Sequence, residues 1–128
     1  MNVLLDTHAF LWFVEDSPHL SIVARQLIEK DDIQPYLSIA SLWEMAIKIS
    51  LGKLTLATPF EQFIPHQLEL NSINLLNVSI EHTSAIANLP FHHRDPFDRL
   101  LAVQARIEKL ALISTDSIFD AYGIERIW

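Results

Sequence analysis

The sequence predicts an α/β protein in three layers, with a central parallel sheet of about five short strands flanked by helices. Short apolar runs such as "NVLLD" and "LALIST" are typical of buried parallel strands. Segments with apolar residues at helical spacing alternate with these runs along the chain. Strands that alternate with helices form parallel sheets covered on both faces. With 128 residues, half of them apolar, we expect one domain over residues 1–128.

The predicted elements follow one another in a regular order along the chain. Strands are predicted at 2–6, 34–38, 73–79, 110–115 and 123–128. Helices are predicted at 7–16, 21–30, 39–54, 58–70, 79–89 and 95–109. Either Asp6 or Thr7 can cap the first helix, because Asp and Thr are both favoured at helix starts.

Prolines shape three of these elements. Pro35 suits the start of the second strand or the edge of a sheet. Thr58 can cap the fourth helix, with Pro59 as its first residue and Glu61 completing a capping box. Pro65 lies inside the same segment, so we expect a kink or a division into two short helices.

Helical periodicity is clearest in two segments. In "IASLWEMAIKISLGKL", Leu42, Met45 and Ile49 share one face, and Gly52 is suited to ending the helix. "DPFDRLLAVQARIEK" has a proline at its first helical position and apolar residues at helical spacing. Between them, the helix "SIEHTSAIANL" is closed by Pro90.

Charge and composition exclude several classes of protein. The net charge is −7, from 16 acidic residues against 9 Lys and Arg, which argues against a general nucleic-acid coat. A nuclease remains compatible, because bound cations reverse the field within an acidic cleft. The absence of cysteine excludes disulfides and thiolate metal sites. With no basic leader and no apolar run of about 18 residues, we expect a soluble cytoplasmic protein without a membrane partner.

Four acids are placed where ligands of α/β proteins usually bind, beyond the carboxyl ends of the strands. Asp6 ends the first strand, and Asp116 follows the fourth. Glu44 lies in the first turns of the helix after the second strand. Asp98 lies in the first turn of the last long helix, which must begin at the same rim for the four carboxylates to meet.

Such a cluster predicts a metal site. Carboxylates held close together raise one another's pKa and destabilise the fold unless a cation neutralises them. Mg²⁺ or Mn²⁺ suits an all-oxygen site better than zinc does. A cation of this kind supports phosphodiester hydrolysis. The chain has no Walker loop, no HExxH motif and no GxSxG elbow, so any chemistry depends on acids and metal.

Ordinary structural roles compete with this interpretation. Asp6 and Asp116 are each suited to capping a helix or closing a turn. Glu44 forms a capping-box pattern with Ser41 and an i,i+4 pair with Lys48. An unpaired acid in such an apolar helix is costly, which favours a function for Glu44.

The segment "HHRDPFDR" contains two acids of different expected role. Asp95 precedes Pro96 and is the natural N-cap of the helix. Asp98, the third helical residue, suits both the helix dipole and a metal ion, and the local sequence leaves this open. For His92 and His93 we expect polar contacts in a loop rather than metal ligation, because adjacent side chains point in different directions.

A few further residues are weaker candidates. His8 follows Asp6 closely enough to approach the same rim. Arg94 and Arg99 can contact phosphate, although arginines on a surface are usually solvated. We expect Trp12 and Trp43 in the core or an interface rather than in a base-stacking platform.

The sequence also resembles a known family. Four segments occur in the order found in PIN-domain proteins, and they are most similar to the VapC toxin branch. These segments are "LLDTHAFLW" (4–12), "ASLWEMAIKISLGKL" (40–54), "LPFHHRDPFDRLLAVQA" (89–105) and "ISTD" (113–116). The resemblance covers essentially the whole chain, and the "HHRDPFDR" segment is its most specific part.

This resemblance implies a metal-dependent ribonuclease with a parallel sheet between helices. The family's four acids correspond to Asp6, Glu44, Asp98 and Asp116, with Asp6 and Asp98 as principal Mg²⁺ ligands. Thr115 matches the polar residue often found beside the last acid, where it would position water or metal. Asp95 belongs to the signature of this branch but not to the wider family's four acids, which keeps it a cap and an accessory candidate.

The resemblance also implies partners and a biological role. VapC-type toxins are typically homodimers that a cognate VapB antitoxin inhibits. The expected function is that of a type II toxin, a Mg²⁺-dependent endoribonuclease that uses metal-activated water. Two alternatives remain at the level of sequence: a phosphoryl hydrolase with Asp6 as nucleophile, and a catalytically inactive binding module.

Overall fold

A computed structural model describes residues 1–128 and contains a five-stranded sheet in which every neighbouring pair of strands is parallel. The strands are β1 (Asn2–Leu5), β2 (Gln34–Ser38), β3 (Asn74–Leu76), β4 (Ala111–Ile113) and β5 (Arg126–Ile127). Their order across the sheet is β3-β2-β1-β4-β5, so β1 lies at the centre. The predicted strands are confirmed in number and in their order along the chain, although β3, β4 and β5 are much shorter than expected.

Six α-helices cover the sheet. They are α1 (Thr7–Val14), α2 (Ile22–Glu29), α3 (Ile39–Ser50), α4 (Phe60–Leu70), α5 (Ile80–Ile86) and α6 (Pro96–Ile107). A 3₁₀ helix at Ser117–Tyr122, which the sequence did not lead us to expect, precedes β5. None of these helices combines the length and the apolar character that crossing a membrane requires.

The two faces of the sheet bury separate apolar cores. Alternate residues of a strand point to opposite faces, so Val3 and Leu5 contact one core while Leu4 contacts the other. The first core is built with α1, α2 and α4, and the second with α6 and the 3₁₀ helix. The sheet is therefore covered on both sides, which confirms the three-layer α/β prediction. Each fully buried Leu contributes about 1.5–3 kcal/mol of hydrophobic stabilisation.

Helix ends agree with the sequence in most places. Gly52 ends α3 in the left-handed conformation at φ +72°, its N–H donating to the Ile49 carbonyl. The next residue, Lys53, donates its N–H to the Lys48 carbonyl, so the end of α3 is a Schellman motif. This termination fixes the backbone about two turns beyond Glu44.

The start of α4 differs from the prediction. The helix begins at Phe60, Pro59 occupies the capping position, and no side chain caps it. The expected capping box of Thr58 with Glu61 is therefore wrong, because the extended backbone of Pro59 places the helix start one residue later. Pro65 lies inside one continuous helix, so the division into two helices is wrong, and the alternative of a kink stays a prediction. Pro65 is exposed, where water can satisfy the carbonyl that loses its N–H partner.

Candidate active site

A cleft of about 210 Å³ opens at the rim formed by the carboxyl ends of β1 and β4 and by the adjoining helices α3 and α6. The residues that line it are Asp6, Thr7, His8, Glu44, Lys48, Asp95, Asp98, Thr115, Asp116 and Phe119. The start of α6 does reach this rim, which the strand-end rule alone did not establish. All four principal acids, together with Asp95 and Thr115, therefore share one cleft.

Asp6 is buried and serves as the N-cap of α1. Its Oδ1 accepts a hydrogen bond from the Ala9 backbone N–H at 2.7 Å. Burial raises the pKa of Asp6, and a hydrogen bond from the Ser114 side chain partly opposes that effect. Capping and placement in the cleft are thus compatible, because the cap uses one oxygen of the carboxylate.

Glu44 lies in the second turn of α3 and faces the cleft. Its Oε1 accepts from the Thr7 hydroxyl at 2.5 Å, and its Oε2 is 3.0 Å from Lys48 Nζ. The i,i+4 pair with Lys48 is therefore confirmed. The capping box with Ser41 is wrong, because Ser38 caps α3 and the Ser41 hydroxyl instead lies 3.0 Å from the Thr7 hydroxyl.

The two aspartates of "HHRDPFDR" have different environments. Asp95 caps α6 by accepting from the backbone N–H groups of the second and third helical residues, at 2.8 and 3.3 Å. The pKa of Asp98 is raised to about 7, first by burial and then by the nearby charges of Asp95, Glu44 and Asp116. The N-cap assignment of Asp95 is confirmed. Asp98 is an acid whose pKa three other carboxylates of the cleft raise.

Asp116 begins the 3₁₀ helix and uses both carboxylate oxygens. Oδ1 accepts from the Ile118 backbone N–H at 3.0 Å, and Oδ2 lies 2.8 Å from Nε2 of His93. Its own backbone N–H donates to the Ser114 hydroxyl at 3.0 Å. The cap role considered from the sequence is therefore present, and it coexists with a place in the cleft.

The sequence did not predict the burial of His93 or its contact with Tyr122. The expected polar contact near the site is confirmed, but the side chain is also only 6% exposed and is held by the Tyr122 hydroxyl. One nitrogen of His93, one oxygen of Asp98 and one oxygen of Asp116 lie within 4.8 Å of one another. No local signal identifies Tyr122, which is 29 residues away along the chain. His92, by contrast, is exposed.

Arg99 does not contact the cleft. Its side chain is buried, and the guanidinium donates to the carbonyls of Pro90, Leu89 and Ile86 at 3.1 to 3.3 Å. It also lies over the Phe91 ring at 4.1 Å. The expectation of a phosphate contact is thus wrong for Arg99, because its guanidinium bonds hold the end of α5 and the loop before α6.

Lys48 is instead the only Lys or Arg side chain among the residues that line the cleft. Five carboxylates stand against this one ammonium group. Burial and, after it, the uncompensated negative charge raise the pKa of Asp98. Oxygen donors at this density fit a hard divalent cation such as Mg²⁺ or Mn²⁺, which would supply the missing positive charge.

Comparison with known families identifies the fold. The sequence profile described as "PIN domain" matches residues 3–125. The chain belongs to the PIN domain family. PIN domains are generally nucleases that use divalent metals, in agreement with the acidic cleft. None of the curated proteins compared with this PIN domain matches it in sequence.

Solved structures share the fold of this PIN domain at low sequence identity. VapBC2 from Rickettsia felis, solved with a DNA fragment from its promoter, has a TM-score of 0.71 at 15% identity over 99% of this chain and 98% of that chain. VapBC-1 from nontypeable Haemophilus influenzae has a TM-score of 0.66 at 16% identity, covering 99% and 97%. FitAcB from Neisseria gonorrhoeae has a TM-score of 0.64 at 17% identity, covering 100% and 97%.

Proposed function

We propose that this PIN domain is a VapC-type toxin, a Mg²⁺-dependent endoribonuclease that hydrolyses phosphodiester bonds of RNA. The observation that carries the proposal is the meeting of Asp6, Glu44, Asp98 and Asp116 in one cleft. They come from four separate parts of the chain, and burial raises the pKa of two of them. A cluster this costly to the apo fold is expected where a cation is bound.

Asp6 and Asp98 are proposed as the principal ligands, with Glu44 and Asp116 completing the site directly or through water. When bound, Mg²⁺ or Mn²⁺ would polarise a phosphoryl oxygen and lower the pKa of a water molecule. The protein's own part is to orient these carboxylates and to accept the proton of the attacking water. Thr115, exposed beside Asp116, would donate a hydrogen bond to water or phosphate.

Lys48 is proposed to contact the substrate phosphate. Without substrate its ammonium lies 3.0 Å from Glu44 Oε2, in a side chain that is one-third exposed. When a cation neutralises the cleft acids, the attraction of Lys48 to Glu44 weakens and a phosphate oxygen can compete for the ammonium. This contact would let an acidic protein bind a polyanion at one point.

The proposed partners are a VapB-type antitoxin and a second copy of this chain. The antitoxin proposal is supported by the fold, which is shared with proteins solved as VapBC and FitAcB. The homodimer proposal is supported by an exposed apolar row along α3 and its C-cap residue, with one residue every four positions. Its members, with their exposed fractions, are Ile39 (36%), Trp43 (63%), Ile47 (36%) and Leu51 (61%). Contiguous apolar rows of this kind are typical of protein interfaces.

The test is RNA cleavage by purified protein with Mg²⁺ or with EDTA. Wild type is compared with Asp6→Asn and Asp98→Asn, and with Asp31→Asn as a control for the loss of one exposed acid. We expect wild type and the control to cut RNA with Mg²⁺ only, and the two cleft variants to lose about 100-fold or more. All four proteins are purified in parallel, so a contaminating nuclease would cut equally in every sample.

Each alternative gives a different result. If wild type leaves RNA intact, or both cleft variants cut as fast as it does, the ribonuclease proposal is wrong. A phosphoryl hydrolase with Asp6 as nucleophile would form an aspartyl-phosphate that acid quenching traps from a labelled phosphoester. An inactive binding module would bind metal or a basic peptide, and it would hydrolyse neither RNA nor the labelled phosphoester.

A further inference from the structure

His93 is buried beside the acidic cleft without lining it. Its Nε2 lies 2.8 Å from Oδ2 of Asp116, one of the four acids of the proposed nuclease site. The side chain is only 6% exposed, so water does not compete appreciably for this contact. A buried, short hydrogen bond to a carboxylate is stronger than a neutral one and restricts how the carboxylate can turn.

The contacts of His93 favour a proton on Nε2, because the Asp116 carboxylate at that nitrogen can only accept and the Tyr122 hydroxyl is able to donate to Nδ1. This hydroxyl lies 2.8 Å from the His93 backbone nitrogen and 3.2 Å from Nδ1 of the same residue. Because the backbone N–H can only donate, the hydroxyl accepts there and its own proton is free to point at Nδ1. A neutral imidazole that accepts at Nδ1 carries its proton on Nε2, which then donates to Asp116.

Aromatic packing holds the imidazole ring in this orientation. The ring of His93 is stacked on that of Tyr122, with 5.5 Å between centroids and 8° between planes. Its centroid lies 4.5 Å from that of Phe119. Phe119 and Tyr122 both belong to the 3₁₀ helix that Asp116 caps. One short helix therefore begins with the carboxylate and also supplies the groups that fix its hydrogen-bond donor.

We propose that His93 is a positioning residue for Asp116, and that Tyr122 sets the tautomer of the His93 ring. In this role, which rests on the proposed function, His93 donates an Nε2 hydrogen bond that turns Asp116 towards the cation. A neutral donor suits the task, because a lysine or arginine here would pair with Asp116 and compete with the metal. In the rival arrangement Nε2 itself ligates the metal, which requires the proton on Nδ1.

The first measurement is the tautomer, read from long-range ¹H–¹⁵N NMR correlations of the neutral His93 ring in the full-length protein. We expect the Nε2–H form in wild type, and a mixture of both forms in Tyr122→Phe. The Nε2 resonance should keep its N–H character when Mg²⁺ is added. A dominant Nδ1–H form, or an Nε2 that loses its proton on addition of Mg²⁺, would overturn the proposal in favour of direct ligation.

The second measurement is Mn²⁺ affinity, from the electron paramagnetic resonance signal of free Mn²⁺. His93→Leu keeps much of the side-chain volume but removes the donor, and we expect a loss of 10- to 100-fold. His93→Gln can present an N–H near the position of Nε2 and should recover most of that loss. His66→Leu, which removes an exposed histidine on α4, should bind as wild type does.

The outcomes separate this proposal from the nuclease assignment, because neither measurement uses RNA. His93→Leu that binds Mn²⁺ as tightly as wild type would overturn the positioning role. If His93→Leu does not fold, His93→Gln and Tyr122→Phe still decide the question. Loss of Mn²⁺ affinity with rescue by glutamine, in a protein that cuts no RNA, would support the role of His93 and refute only the nuclease.

Discussion

Replacing Asp98 by asparagine should stabilise the metal-free protein. The pKa of Asp98 is raised from its ordinary 3.8 to about 7, chiefly by burial and then by the neighbouring acids. A raised pKa means that the native state binds a proton more tightly than the unfolded state does. The protein therefore loses stability as the pH rises from about 4 to about 7, and the loss is complete above about 7.

The size of the effect follows from the two pKa values. A difference from 3.8 to about 7 corresponds to about 4 kcal/mol against the ionised native state. The cleft is open to water, and screening reduces this to about 1–2 kcal/mol. Asp98→Asn removes the charge and nearly keeps the shape. Its melting temperature in EDTA at about pH 8 should exceed that of wild type by about 3–10 °C.

Thermal unfolding monitored by circular dichroism measures this difference, with Asp31→Asn as the charge-matched control on an exposed loop. The advantage of Asp98→Asn should shrink between about pH 8 and about pH 5, where the wild-type carboxyl becomes protonated. Saturating Mg²⁺ should reverse the order by stabilising wild type more than the variant. The reasoning is refuted if the melting temperature of Asp98→Asn is equal to or below that of wild type at about pH 8 in EDTA. It is also refuted if the difference in melting temperature grows as the pH falls.

Three other predictions concern neighbouring features. Asp95→Asn should preserve folding and retain cleavage within about 3-fold, because Asn caps helices about as well as Asp; loss of cleavage with an intact fold would place Asp95 among the metal ligands. Lys48→Met should raise KM for RNA about 10-fold with little change in kcat, as measured by steady-state kinetics. The control Lys53→Met, at an exposed lysine, should change neither constant. Ile47→Glu should convert a dimer into a monomer, as measured by light scattering. The control Ile22→Glu, at an exposed apolar residue on α2, should leave the dimer intact. A dimer that survives Ile47→Glu would exclude α3 from the interface.

The sequence predicted the class of the fold and most helix starts because both depend on local patterns. Apolar runs, helical spacing and caps such as Asp6 and Asp95 act over a few residues, and the structure keeps them. The start of α4 was misjudged because two overlapping start signals, Thr58 and Pro59, differ by one residue in where they begin the helix. The 3₁₀ helix was missed because "SIFDAY" has too few residues for a helical period to stand out.

The residues of the cleft also divide into those that a local pattern predicts and those that it does not. Asp6 and Asp116 were predictable because they follow strands, and parallel strands end at one rim. The gathering of Asp98 with them depends on where α6 begins in space, which no local pattern contains. The burial of Arg99 and of His93 depends on partners up to 29 residues away, so neither residue could be assigned its role from the sequence.

The central position of β1 has a consequence for the order in which this chain is made. β1 is the first strand to be synthesised, yet it pairs with β4, and the Asp6 N–H donates to the carbonyl of Ile113 at 3.1 Å. Translation must therefore pass Ile113 before the first acid has its full set of backbone contacts, and pass Tyr122 before His93 is held. A nascent chain that ends before Ile113 and Tyr122 therefore lacks contacts that hold Asp6 and His93, and it cannot assemble the complete cleft.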